Sequence, residues 1–207
     1  MIFCDYGIVL RSRPLRENDR IVTVFTKGGG KLEVNFKSVR RAAGKLKALS
    51  EPITWGDYRF YLRGGSNFPV CTGGATLSIF PGLRASRDRI FMAFHFCEVV
   101  NKLTPAAQPS AGKYELLLSA LQALDVNPPS AWMRFAFILR VMELAGYGLK
   151  ETSLGFDSRF WEAMHCGSWL EVAELKDDRA AENMLEGLIN KFFGEELGIT
   201  LNTAQFV

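Results

Sequence analysis

The sequence predicts an α+β protein in which an N-terminal OB-fold β-barrel is followed by an α-helical bundle domain. Short runs rich in Val, Ile, Thr and Phe, separated by turn residues, fill the first 80 residues and are typical of strands. After Pro81 the apolar residues recur at helical spacing instead. The charge is also divided, because residues 1–75 carry a net +7 and the remainder carries −4.

Five strands are predicted, over residues 6–13, 20–26, 31–39, 55–62 and 67–80. Pro14 is expected to close the first strand, and the glycines at 28–30 supply a hairpin turn. Gly73 and Gly74 indicate a bulge in the last strand. Five short strands suit a small Greek-key barrel of the OB type, with an SH3-like barrel as the structural alternative.

Helices are predicted over residues 86–103, 113–124, 131–145, 155–164 and 179–197. Ser86 and Ser130 are placed to cap helix starts, and Gly146 and Gly198 to end helices. The predicted division is therefore an OB-fold domain over residues 1–80 and an α-helical domain over residues 81–207.

Composition excludes several classes of protein. An apolar fraction of 48% with 23% charged residues is typical of a globular chain. The four cysteines are too far apart for a local zinc knuckle and too few for a disulfide scaffold, so they are expected to be reduced thiols packed as small hydrophobes. The N-terminus does not resemble a signal peptide, and no apolar window is long enough to span a membrane. A cytoplasmic location is expected.

Catalytic motifs are scarce, and the chain is predicted not to be an enzyme and to need no cofactor. A phosphate-binding loop would require glycine where Phe25 stands and a hydroxyl where Leu32 stands. His95 lies on an apolar helix and is interpreted as a core residue. His165 and Cys166 are adjacent, and adjacent helical residues point apart.

The strongest signal is a basic stretch between residues 31 and 47. It holds one anion, Glu33, and six cations: Lys31, Lys37, Arg40, Arg41, Lys45 and Lys47. Such a stretch suits the phosphates of a nucleic acid, and four aromatic residues of the same domain could stack unpaired bases: Phe36, Tyr58, Tyr61 and Phe68. The alternative is a solvated charged loop beside aromatic residues of the barrel core. Charge alone leaves both interpretations open.

Several segments resemble the RecO family of bacterial recombination mediator proteins. GIVLRSRPLRENDRIVTVFTKGGGK at residues 7–31, KSVRR at 37–41 and LSEP at 49–52 are similar to the opening of that family. FILRVMELAGY at 137–147 is similar to its apolar helix ending in Gly-Tyr, and residues 192–206 match its closing segment loosely.

The resemblance implies an OB fold joined to a helical domain, binding of single- and double-stranded DNA, strand annealing, and loading of a recombinase. It also implies two partners, RecR and the acidic C-terminal tail of single-strand DNA-binding protein, and a nucleoid-associated place in the cytoplasm. The predicted DNA-binding residues, of which Lys37, Arg40 and Arg41 follow the family motif, are Arg13, Arg16, Lys37, Arg40, Arg41, Lys45 and Lys47. Arg134 and Arg140 are the predicted partner-binding residues.

The chain departs from the family pattern in three ways. Many members carry a four-cysteine zinc site, whereas residues 148–170 hold only Cys166, so no metal is predicted. Ser38 replaces the glycine of a K-G-x-R-R motif, and the C-terminal half is acidic. Two competing hypotheses follow: a protein-interaction adaptor of the same fold with weak or no DNA binding, and an enzyme with an unrecognised site near His165 and Cys166.

Overall fold

The computed structural model describes residues 1–41, 44, 46–66, 68–148 and 157–207. The chain forms two compact units. The barrel unit comprises Met1–Pro81 and Thr104–Leu118, and the helical unit comprises Gly82–Leu103 and Ser119–Val207. The segment Thr104–Leu118, which follows the barrel sequence by more than twenty residues, therefore packs with the strands.

The barrel unit contains five strands: β1 (Ile2–Leu15), β2 (Asp19–Thr26), β3 (Gly30–Phe36), β4 (Trp55–Tyr61) and β5 (Val70–Ser78). Their order is β1-β2-β3-β5-β4, and β4 returns to pair with β1. All pairs are antiparallel except β3 with β5, which meet in parallel at Asn35 and Val70. This single pair closes the five-stranded barrel, whose architecture is the Greek key of OB folds. The prediction of an α+β protein with an OB-type barrel is confirmed, rather than the SH3-like alternative.

The first strand is longer than predicted. It begins at Ile2, pairs with β4 from Ile2–Tyr61 to Ile8–Trp55, and continues along β2. It also passes through Pro14, which lies opposite Arg20 next to the hairpin turn. Proline lacks a backbone N–H, so it is tolerated near a strand end but is easily mistaken for the end itself.

Alternate side chains of the strands fill the barrel. Those of Val9, Val22, Val24, Val34 and Phe36 lie in one buried cluster with Tyr58, Phe60 and Cys71. The Tyr58 and Phe60 rings are stacked, with centroids 5.8 Å apart. Burial raises the pKa of Tyr58, and its hydroxyl donates to the Leu49 carbonyl over 3.2 Å. Phe36 and Tyr58 are therefore core residues, with no surface for stacking a base.

The segment Thr104–Leu118 covers part of the outer barrel wall. The Ala107 N–H donates to the Lys31 carbonyl over 2.9 Å, and the Tyr114 ring packs against Phe25 at 6.0 Å. Trp55 Nε1 donates to the Tyr114 hydroxyl over 3.1 Å. Because of this cover, Phe25 is fully buried although it lies outside the interior cluster.

The helices are α1 (Pro81–Arg84), α2 (Arg87–Leu103), α3 (Ala111–Val126), α4 (Ala131–Leu144), α5 (Ser158–Cys166), α6 (Trp169–Ala173) and α7 (Arg179–Lys191). The five predicted helices correspond to α2, α3, α4, α5 and α7, although residues 155 and 156 of one prediction lie outside the described residues. The short α1 and α6 were not predicted. Residues 192–196, expected to continue α7, form one π-helical turn instead.

Helix α4 is the centre of the helical unit. It packs against α2, α5, α6 and α7, and its residues from Trp132 to Leu139 are all buried. The Phe96 and Phe137 rings are stacked at 4.0 Å between α2 and α4. None of the helices in the described ranges is long and apolar enough to cross a membrane.

Candidate nucleic-acid interface

The basic loop, defined as residues 37–47, leaves the end of β3 and is anchored to the β1–β2 turn. Its Ser38 N–H donates to Asp19 Oδ1 over 2.8 Å, and its Arg40 N–H donates to the Asn18 carbonyl over 3.0 Å. Val39 is buried between them in the barrel cluster. Ser38 has a φ of 57°, a conformation that glycine adopts more readily than other residues.

The cations of the loop that the structure describes are exposed. Lys37, Arg41 and Lys47 are exposed and have no acidic partner among the residues that the structure describes. The exposed Arg40 lies against Arg16 of the β1–β2 turn, because its Nη1 donates to the Arg16 carbonyl over 3.4 Å. The loop and the turn thus bring these two arginines together. Lys45 lies outside the described residues.

Two of these cations line an open groove of about 640 Å³. The basic loop forms one wall and β5 the other, and the lining residues are Lys37, Ser38, Arg41, Gly44, Leu46, Thr72, Gly73 and Gly74. A Cβ atom added to Gly73 would meet no atom within 4 Å, so the backbone there is open. The groove therefore places positive charge beside accessible backbone, which suits a phosphate chain.

Two further arginines of the barrel unit, Arg13 and Arg20, have acidic partners. Arg13, on the outer wall of β1, forms an exposed ion pair with Glu33 at 3.4 Å, which offsets part of its charge. Arg20, which the sequence analysis did not select, binds Glu51 at 2.6 Å and Ser50 Oγ at 3.1 Å. Arg20 therefore ties β2 to the segment after the basic loop.

Exposed aromatic and basic residues also lie on β4 and the loop that follows it. The Tyr61 residue is 41% exposed and Phe68 is 50% exposed, unlike the buried Phe36 and Tyr58. Arg59 and Arg63 are exposed beside them and were missed by sequence reasoning. Strand alternation was the available signal, because the apolar residues on either side of Arg59 place its side chain on the outer face.

The two predicted partner-binding arginines have structural contacts within the helical unit. The Arg134 guanidinium pairs with Glu186 and lies 4.4 Å from the Phe135 ring. Arg140 donates to three backbone carbonyls, those of Met164, Ala163 and Gly167, over 2.7–3.0 Å. Burial lowers the pKa of Arg140. Binding of a partner by these residues stays a prediction.

The two histidines occupy unlike positions. His95 is buried, its Nδ1 lies 2.8 Å from Thr203 Oγ1, and burial lowers its pKa to about 4. His165 Nδ1 lies 3.0 Å from Glu143 Oε2, whereas Cys166 lines a separate open depression.

Within the described ranges, no three His, Cys, Asp or Glu side chains come together as metal ligands would. Cys71 and Cys97 are buried thiols, and Cys4 and Cys166 are exposed.

Comparison with known proteins supports what the fold indicates. The family model described as "Recombination protein O N terminal" matches residues 1–80, and "Recombination protein O C terminal" matches residues 84–154. The chain belongs to the RecO family. The first match covers the strands and the basic loop, and the second runs from α1 to beyond α4.

Individual RecO proteins are similar to about 70% of this chain. The DNA repair protein RecO of Streptomyces griseus is 32% identical over 153 residues, covering 70% of this chain and 62% of the relative. That of Bifidobacterium animalis subsp. lactis is 33% identical, with 72% and 63% covered. The RecO of Pelotomaculum thermopropionicum is 32% identical, with 68% and 54% covered. The chain thus matches less than two thirds of the length of these relatives.

Proposed function

We propose that this RecO-family protein is a non-catalytic, DNA-binding mediator of recombinational repair. It binds single- and double-stranded DNA, promotes annealing, and helps to load a recombinase together with RecR and single-strand DNA-binding protein. It acts in the cytoplasm, on the nucleoid. The observation that carries the proposal is the groove in which Lys37 and Arg41 flank the open backbone of β5.

The chemistry of the groove supports a phosphate chain as its ligand. Lys37 and Arg41 have no acidic partner among the described residues, so binding a phosphate breaks no ion pair seen in the structure. Phosphate contacts release condensed counterions and supply most of the sequence-independent affinity for DNA. The proposed contacts are made to the sugar–phosphate backbone of DNA, which single strands and duplexes share.

A protein-interaction adaptor with weak or no DNA binding is the second candidate. It is favoured by the net charge of −4 over residues 76–207 and by the pairing of Arg13 with Glu33. The adaptor would bind RecR, or the acidic tail peptide through Arg134 and Arg140, without retaining an oligonucleotide.

Oligonucleotide affinity measured against salt concentration separates the two candidates. Removing both groove cations, in Lys37→Ala/Arg41→Ala, should lower the magnitude of the log–log salt slope by about 2 and weaken binding about tenfold or more. A labelled single strand and a duplex of the same length, followed by fluorescence anisotropy, provide the measurement.

The matched control removes two exposed cations from the helical unit, in Arg179→Ala/Lys191→Ala. This variant has the same change in net charge and should keep the wild-type slope. Equal losses in the two variants would show that only total charge matters. A wild-type affinity that does not respond to salt would contradict the proposal and support the adaptor.

A further inference from the structure

The basic groove continues onto a second surface of the barrel. Gly73, in its β5 wall, lies opposite Arg59 of β4 in the strand register. Tyr58 and Phe60 point into the core, so Arg59 and Tyr61 point outward. Tyr61 in turn lies opposite Ile2 of β1, which is itself exposed.

The outer wall of β2 and β3, which OB folds commonly offer to oligonucleotides, is less suitable in this protein. The Ala107 N–H is bonded to the Lys31 carbonyl at one end of β3, and Phe25 of β2 is buried against Tyr114. Farther along β3 the anion Glu33 stands on the outer face, paired with Arg13. A polyanion on this wall would meet a covering segment and a carboxylate.

We infer that an unpaired strand leaves the groove across Gly73 and runs over the outer face of β5, β4 and the start of β1. Arg59 contacts its phosphates there, and Tyr61 stacks on one of its bases. The inference rests on the proposed function and assigns it a second subsite, named here the β4 subsite (Arg59 and Tyr61).

Three features at and beside the β4 subsite suit the phosphates of a nucleic-acid strand. The missing side chain of Gly73 lets the nucleic acid approach the sheet closely where it crosses β5. Arg59 has no ion pair in the described part of the chain. Asp57, the next outward residue of β4, would repel phosphates and so bounds the path on one side.

The subsite should distinguish single strands from duplexes. An exposed aromatic ring can stack on a base only if the base is not already stacked within a duplex. The groove cations Lys37 and Arg41 contact phosphates, which both forms of DNA present. Tyr61 should therefore contribute to the binding of single strands and not to that of duplexes.

The first test compares Tyr61→Ala with Tyr61→Phe. Loss of the ring should weaken single-strand binding about tenfold, whereas loss of the hydroxyl alone should change it little. Duplex affinity should stay within about twofold of wild type in both variants, since backbone contacts are kept. An equal loss for both forms of DNA, or no loss for either, overturns the inference.

The second test blocks the crossing point with Gly73→Glu. Open space and an ordinary φ at Gly73 leave room for the side chain without strain. Single-strand affinity should fall about tenfold or more, and Tyr61→Ala should cause no further loss in the Gly73→Glu background, since the blocked strand no longer reaches Tyr61. Additive losses would overturn the inference. Gly187→Glu on α7, also in open space, is the matched control.

These outcomes separate the inference from the function on which it rests. If Lys37→Ala/Arg41→Ala weakens binding while Tyr61→Ala and Gly73→Glu do not, the β4 subsite is wrong and DNA binding stands. If the wild-type protein retains neither DNA, the proposed function fails, and the subsite fails with it.

Discussion

In the barrel unit, Lys37 and Arg41 project from a loop into an open groove and have no acidic partner among the described residues. In the helical unit, Arg134 lies against a glutamate and an aromatic ring, and Arg140 is held by three backbone carbonyls. The residue types are alike and their surroundings are opposite. A cation whose hydrogen bonds are already made stabilises the fold, whereas an unpaired one remains available to a ligand.

The largest expected effect is the loss of stability on replacing Arg140 in the helical unit. Arg140→Ala leaves the carbonyls of Met164, Ala163 and Gly167 without their donor and removes the contact with the Trp169 ring. Hydrogen bonds to a charged donor are among the stronger ones, so the free energy of unfolding should fall by about 4 kcal/mol. Urea titration followed by circular dichroism gives the value.

Arg140→Lys is the control for that experiment. Lysine keeps the charge but cannot reproduce the planar fork that reaches three carbonyls at once, so it should recover only part of the stability. If Arg140→Ala unfolds at the same urea concentration as wild type, the structural role given to Arg140 is wrong.

The next effect concerns pH. Burial, and secondly the charge of Arg134, lower the pKa of His95 to about 4. The unfolded chain, with an ordinary histidine pKa near 6.5, therefore binds a proton that the folded protein does not. Stability should fall as the pH drops from about 6.5 to 4, by on the order of 3 kcal/mol in total. In His95→Gln, which does not titrate, the unfolding midpoint should change far less over that range.

The smallest expected effect is a change in DNA affinity when Arg13 of the barrel unit is released from its ion pair. Arg13 is intermediate in the comparison, being exposed but paired with Glu33. Glu33→Gln removes an exposed anion and releases Arg13, so DNA affinity should rise about twofold at low salt, and less at high salt because the charges are screened. If affinity does not rise in Glu33→Gln, or still rises when Arg13 is also replaced by alanine, the pairing does not limit Arg13.

The fold was predictable where apolar side chains recur at the spacing of a strand or a helix. Leu32, Val34 and Phe36 alternate as a barrel strand should, and the apolar spacing of α4 indicated a buried helix. The first four residues of β1 were not predicted, because what makes Ile2 part of a strand is its pairing with Tyr61, which is distant in sequence.

The site was less predictable, since the sequence shows which residues are charged but not which groups lie beside them in the fold. Arg16 and Arg20 are close in the chain, yet Arg20 is paired with Glu51, 31 residues away. The acceptors of Arg140 are backbone carbonyls, which every residue has and which leave no trace in the sequence. Tyr58 and Tyr61 could have been told apart, because strand alternation puts them on opposite faces.

The contrast between the two units is tested most directly by measuring both DNA binding and stability in one variant of each unit. The quantities are the salt dependence of oligonucleotide binding and the free energy of unfolding, and the variants are Lys37→Ala/Arg41→Ala and Arg140→Ala. We predict that the first variant lowers the salt slope by about 2 and keeps wild-type stability, while the second loses stability and, at low temperature where it stays folded, keeps the slope. An unchanged slope in Lys37→Ala/Arg41→Ala would contradict the account.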